Sequence, residues 1–243
     1  SRVSFSRFCA CGGCVGGTFL AQIQGFCFAN TIDRGDKAPM TLSLALFAKA
    51  PLLGQTKTRL AGVLNPQGAL AAHCELVEHA LGQLSAVIGQ SNVQVELWVS
   101  ADHLVARQWA RTFGVPISLQ RGYDLGDRMH HALVDQLSRG ADFAAVMGSD
   151  CPQLDAEYLN WVAQSASEAD VVIAPAEDGG YGLIGMAASQ PQLFADMPWG
   201  SNVVFEETLR RAHESKLRVA VGEQIWDVDC PEDWARFQNL KRR

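Results

Sequence analysis

Three cations stand close together in the stretch FAKAPLLGQTKTRL: Lys49, Lys57 and Arg59, with Pro51 and Gly54 between them. They follow the apolar run TLSLALFA, so the positive charge gathers where a buried strand ends. Carboxylates recur at three further places of the same kind. Asp150 lies in GSDCP after FAAVM, Asp178 in EDGGYG after VVIAPA, and Asp227 and Asp229 in DVDCPED after QIW. Cations beside several carboxylates suit a polyphosphate with a divalent ion between them. Mg²⁺ and Mn²⁺ take oxygen ligands, few of them from protein, and let substrate phosphates complete the shell. Asp150 is the best placed metal candidate, at the tip of a strand that is apolar on both faces. An aspartate in an arbitrary strand–helix loop reads first as a helix cap. Gly148, Ser149 and three other polar strand ends reverse that ranking here.

The elements that must position these groups alternate regularly from Met40 onward. Residues 66–89 carry apolar side chains at helical spacing, with Pro66 suited to the first turn. VQVELWVS alternates as a strand, residues 101–114 form a helix closed by Gly114, and VPISLQ is a strand. A helix to Gly140, the strand DFAAVMGSD, the helix DAEYLNWVAQSASE and the strand ADVVIAPA follow. YGLIGMAA, a helix around SNVVFEETLRRAHES with Ser201 or Asn202 as its cap, LRVAV, QIWDVD and a last helix from Pro231 complete the order. Such alternation predicts a three-layer α/β/α domain with a mostly parallel mixed sheet. In open sheets of this type, ligands bind outside the carboxyl ends of the strands, where all four polar segments fall.

Composition narrows the partners. The chain has 243 residues and a formal charge of −6, which argues against non-specific nucleic-acid binding and leaves any basic cluster local and aimed at a small anion. No apolar run is long enough to span a membrane. Four of the seven cysteines precede Met40, and CACGGC lacks the second ligand pair of a zinc site. Cys74, Cys151 and Cys230 are widely separated, as in a reduced cytoplasmic protein. Residues 1–39, rich in Gly, Ser, Phe and Cys and without a sustained period, read as a disordered or non-native leader ahead of one domain over 40–243. A Walker A loop is absent, because Thr56 and Pro51 stand where its glycines belong. A dinucleotide fingerprint is absent too, with Gly54 alone after the first strand.

FAKAPLLGQTKTRL, LGDRM, GSDCPQL, EDGGYGLIG, DMPWGS and DVDCPEDW, in that order, resemble the bacterial selenodomain-associated transferase family, which has the glycosyltransferase A fold. The match covers about residues 40 to 235. More distantly the pattern is similar to 2-phospho-L-lactate guanylyltransferase and to molybdenum-cofactor nucleotidyltransferases. Cys230 stands where those have threonine. The resemblance implies that Lys49, Lys57 and Arg59 grip donor phosphates by charge-assisted hydrogen bonds of ~1.5–3 kcal/mol each. It implies that Gly126 and Arg128 approach the base or a phosphate. Asp150 would hold the metal, with Asp229 as second ligand and Asp227 in reserve. Asp178, Gly179, Gly180 and Tyr181 would serve the acceptor or sugar side, with Trp199 as a lid, a stacking platform or a core anchor. Glu232 and Asp233 fit the start of the last helix. Cys151 reads as a buried small residue, and His130 and His131, adjacent on a helix, face apart.

The resulting expectation is a transferase dependent on Mg²⁺ or Mn²⁺ and using a nucleotide-activated donor. Glycosyl transfer from a nucleotide-diphosphate sugar comes first. Nucleotidyl transfer from a nucleoside triphosphate to a phosphorylated small molecule comes second, and a nucleotide-binding regulator without turnover third.

Overall fold

The computed structural model describes residues 40–88 and 92–242, and the leader expected over 1–39 lies outside the described residues. The central strand β1 (Leu42–Ala48) is buried along its whole length. It pairs in parallel with β2 (Val93–Val99) on one side and β4 (Phe143–Gly148) on the other. β3 (Ile117–Leu119) extends the sheet beyond β2. On the far side β6 (Tyr181–Met186) runs antiparallel between β4 and β5 (Val171–Pro175), and β7 (Val219–Val221) closes that edge. The order is β3-β2-β1-β4-β6-β5-β7. β6 supplies the antiparallel member that makes the sheet mixed.

Alternation along β1 sorts its side chains to two faces. Leu42, Leu44, Leu46 and Ala48 face Val77 and Leu81 of α1 (Ala61–Leu84), Trp109 of α2 (Leu104–Phe113) and Leu159 of α4 (Ala156–Ser165). Ala45 and Phe47 face Met129 and Leu133 of α3 (Leu125–Ser138) and Ala212 of α5 (Val204–Glu214). Burying each large apolar side chain contributes ~1.5–3 kcal/mol, and the two apolar layers hold three layers of structure together. α6 (Pro231–Leu240) packs on α1 through Phe237 against Leu76.

α1 contains a break at Asn65, whose backbone has φ 58° and whose side chain accepts from Gly68 N at 3.0 Å. The regular helix thus restarts at Pro66, where the sequence puts its first turn. It ends at Leu84, earlier than expected, and Val87 N then donates to Leu84 O in a turn. Two other expectations differ from the structure. Ser201 does not cap α5; its hydroxyl donates to Pro198 O, and α5 begins after Val203 with no side-chain cap. QIWDVD does not form a strand. Its pairing is a single bridge from Ile225 to Ala176, because the chain turns away to bring Val228 N to Asp150 O. Among the described residues, no helix is long and apolar enough to cross a membrane.

Candidate active site

The carboxyl ends of β1 to β4 and the β5–β6 turn open on one cavity of about 530 Å³. Lys57 enters it from the loop after β1, in the left-handed backbone region with φ 46° and ψ 44°. A lysine held there costs about 1–3 kcal/mol, which surrounding contacts must offset. The contact is Asp150, whose Oδ2 accepts from Lys57 Nζ at 2.7 Å. Lys57 is 9% exposed in its side chain and Asp150 37%. Burial pulls the ammonium pKa down. The charge and hydrogen bond of Asp150, with Asp229 and Asp227 farther off, outweigh that pull and raise it above its ordinary value. For Asp150 burial pushes upward, and Lys57 overrides it and holds the carboxyl below the usual range.

Arg59, two residues on, pairs with Asp229. Asp229 N and Cys230 N both donate to Asp233 Oδ2, at 3.1 and 2.8 Å, which ties this segment to the first turn of α6. The remaining carboxylate, Asp227, has its pKa raised to about 6, first by burial and then by the negative charges of Asp150 and Asp178. Among the four acids it is therefore Asp227, rather than Asp229, that lies in Asp150's field without a basic partner. No group of three or more His, Cys, Asp or Glu side chains is gathered as a metal cage among the described residues. The donor set nonetheless fits a hard divalent ion: carboxylate oxygens from two segments, with a crowding of negative charge that raises Asp227. Such an ion needs few protein ligands when phosphate supplies others.

Lys49, Arg128, Asp178 and Tyr181 also line the cavity. Gly126, Gly179, Gly180 and Trp199 do not, and the structure gives them packing duties. A Cβ on Gly126 would lie 2.6 Å from the Trp199 indole, so the absence of a side chain lets α3 approach the ring. Trp199 in turn meets Tyr181 edge-on at 6.3 Å. Gly179 has φ 86°, and a Cβ there would drive into the Asn202 carbonyl. Its own carbonyl accepts from Phe205 N at 2.9 Å, which docks the β5–β6 turn on α5. Gly180 N donates to Asp178 Oδ1 at 2.9 Å and so orients that carboxylate.

Sequence reasoning passed over several lining residues. Ser100 and Gln120 sit at the ends of β2 and β3, where strand-end position alone was the available signal. Ser100 Oγ accepts from Ala50 N at 2.8 Å and anchors the basic loop. His73, on α1, holds the same loop through Nε2 and Lys49 O at 2.9 Å, and burial lowers its pKa. Cys151 is buried beside Asp150, and burial followed by that negative charge pushes its thiol well above the ordinary range. Both effects disfavour the thiolate that a nucleophile would need.

The cavity thus presents cations from one strand end and carboxylates from two others and from the segment that leads into α6, the pattern of a phosphate-handling site. The family model described as an uncharacterized protein conserved in bacteria (DUF2064) matches residues 83–201. A phosphoenolpyruvate guanylyltransferase of Chloroflexus aggregans is 31% identical over 120 residues, 49% of this chain. The chain spans 59% of that relative, less than two thirds of its length. A 2-phospho-L-lactate guanylyltransferase of Methanothermobacter thermautotrophicus is 31% identical over 185 residues, 73% of this chain and 76% of the relative. Among solved structures, one assigned as a nucleotide-diphospho-sugar transferase from Desulfovibrio desulfuricans superposes with a TM-score of 0.73 at 25% identity, covering 84% of this chain and 89% of that one. The chain belongs to the DUF2064 family, with similarity to the guanylyltransferases and the fold of the nucleotide-diphospho-sugar transferases.

Proposed function

We propose that this protein is a metal-dependent nucleotidyltransferase that takes a nucleoside triphosphate, GTP by the example of its relatives, and joins its nucleotidyl group to a phosphorylated small molecule. The observation that carries the reading is the buried Lys57 facing Asp150 in the same cavity as Arg59 and Asp227. A polyanion that enters there exchanges carboxylate partners for phosphate oxygens at both cations. Lys49, Lys57 and Arg59 would hold the phosphates. Asp150 and Asp227 would hold Mg²⁺ or Mn²⁺, which when bound supplies neutralising charge beside the phosphates. An acceptor phosphate oxygen attacks the α-phosphorus, the bond from that phosphorus to the bridging oxygen breaks, and pyrophosphate leaves. The lysine and arginine offset the charge that grows on the leaving group, and they are held ready by the packed loop. Asp178, set by Gly180 N, and Tyr181 would border the acceptor.

Glycosyl transfer, which the sequence ranked first, draws support from the fold of the Desulfovibrio relative. The guanylyltransferases, similar over most of the domain, favour nucleotidyl transfer instead. Incubation with GTP, Mg²⁺ and either phosphoenolpyruvate or 2-phospholactate should release pyrophosphate and form a guanylylated product. Consumption of a nucleotide sugar, with no pyrophosphate from any nucleoside triphosphate, would restore the glycosyl reading.

A further inference from the structure

Gln120 follows β3 directly and reaches back across the ends of two neighbouring strands. Its backbone N–H donates to Val99 O at 2.9 Å and continues the ladder. Its side-chain amide donates to Trp98 O at 2.9 Å and to Ala48 O at 3.2 Å. Both amide hydrogens are thereby occupied, one at the end of β2 and one at the end of β1. The orientation is fixed, because exchanging oxygen and nitrogen would set an amide oxygen against two carbonyl oxygens. Only Oε1 is left to offer a ligand. It takes no hydrogen bond among the described residues and is not one of their buried unpaired atoms. Gln120 lines the same cavity as Lys57 and Asp150, and Arg128 lines it too. Arg128 Nε donates to Gly122 O at 3.3 Å, which leaves its two terminal nitrogens to form a fork.

The cations after β1 and Asp150 after β4 put phosphates at the middle of the sheet. A nucleoside can extend from there in two directions. One, toward β5 and β6, is lined by Asp178 and Asp227. The other, toward β2 and β3, is lined by Ser100, Gln120, Leu125 and Met129, with Arg128 as its cation. A neutral ring is better accommodated beside apolar side chains and a fixed amide than beside carboxylates that desolvation already strains.

We propose that Gln120 and Arg128 read the base of the nucleotide, and that the pair selects guanine. Guanine shows two adjacent acceptors, O6 and N7, to an arginine fork, and N1–H with the N2 amino group to a fixed acceptor. Adenine sets an amino donor against the arginine and has no N–H at ring position 1. Pyrimidines lack the N7 edge. The inference rests on the nucleoside-triphosphate reading of the cavity, and its test separates the two.

Calorimetric titration of the Mg²⁺-loaded protein with GTP, ATP and inorganic tripolyphosphate provides the measurement. Wild type should bind GTP at least about tenfold more tightly than ATP. Gln120→Leu should weaken GTP about tenfold and leave ATP and tripolyphosphate unchanged. Arg128→Met, which leaves the strand ends untouched, should do the same and serves if the first variant folds poorly. Equal losses for GTP and ATP, or an intact GTP preference in either folded variant, would overturn the assignment. Tripolyphosphate binding with no preferred base in wild type would overturn base reading and spare the phosphate site. Failure to bind all three would remove the parent reading.

Discussion

Replacing Asp150 by asparagine should tighten nucleotide binding when no metal is present, although a metal-ligand role alone predicts only loss. Lys57 has one strong partner, Asp150 at 2.7 Å, and its side chain is 9% exposed. A phosphate that arrives without a metal ion must take Lys57 from that carboxylate and leave Asp150 unpaired beside a polyanion. A hydrogen bond to a charged group contributes about 1.5–3 kcal/mol. Asp150 opens to solvent through the cavity, so screening puts the competing interaction at the lower end of that range. At about 1.4 kcal/mol per factor of ten, Asp150→Asn should lower the Kd for GTP in EDTA roughly tenfold. The sign reverses with Mg²⁺ present, because the variant has then lost an ion ligand. Isothermal titration of both proteins, with and without metal, reads the crossover directly. The asparagine amide oxygen can still accept from Lys57, and GTP should raise the variant's Tm more than wild type's in EDTA. Equal or weaker metal-free binding by the variant would show that Lys57 and Asp150 are not competing for the same phosphate, and the exchange argument would fail.

Asp227→Asn should raise the Mg²⁺ concentration needed for half-maximal pyrophosphate release about tenfold, and Asp229→Asn much less, because Asp227 is the acid whose pKa the negative charge of Asp150 helps to raise; the opposite order would return Asp229 to the metal. Gly179→Ala should destabilise the fold by about 2–4 kcal/mol in urea titrations, since the position needs positive φ and has the Asn202 carbonyl against it. His73 should make stability fall with acid. Its folded pKa lies below the ordinary 6.5 because burial disfavours the charged ring, so the unfolded chain takes up the proton first. Its contribution is complete above about pH 6.5 and declines as pH falls toward the folded value. Asp227, raised to about 6, acts in the opposite sense, so the effect is read as the difference in Tm between wild type and His73→Asn from pH 7.5 down to about 5.5; parallel curves would contradict it.

The sequence disclosed the cavity's polar inventory because strand ends are a one-dimensional signal. Apolar runs such as TLSLALFA and FAAVM mark where a strand stops, and topology then brings the stops to one edge. It set Asp229 ahead of Asp227 because Asp229 lies nearer the carboxyl end of an expected strand, and that ranking assumed a segment that stays extended. The segment pairs only at Ile225, then bends so that Val228 N reaches Asp150 O, and distance from a strand's carboxyl end no longer ranks the two carboxyls. Gly126 shows a related limit. A glycine at the start of a helix beside a basic residue reads as an approach to phosphate, yet the atom it makes room for belongs to Trp199, far along the chain. Gln120 carries the same lesson in reverse. At the end of a short strand it looks like any solvated loop residue, and only its two bonds to Trp98 O and Ala48 O turn a flexible amide into a fixed acceptor. Residue type and position along a strand thus foretold which charges meet in the cavity. Which of them is left with a free valence for ligand was decided by contacts among residues distant in the chain, and those contacts exist only once the sheet has formed.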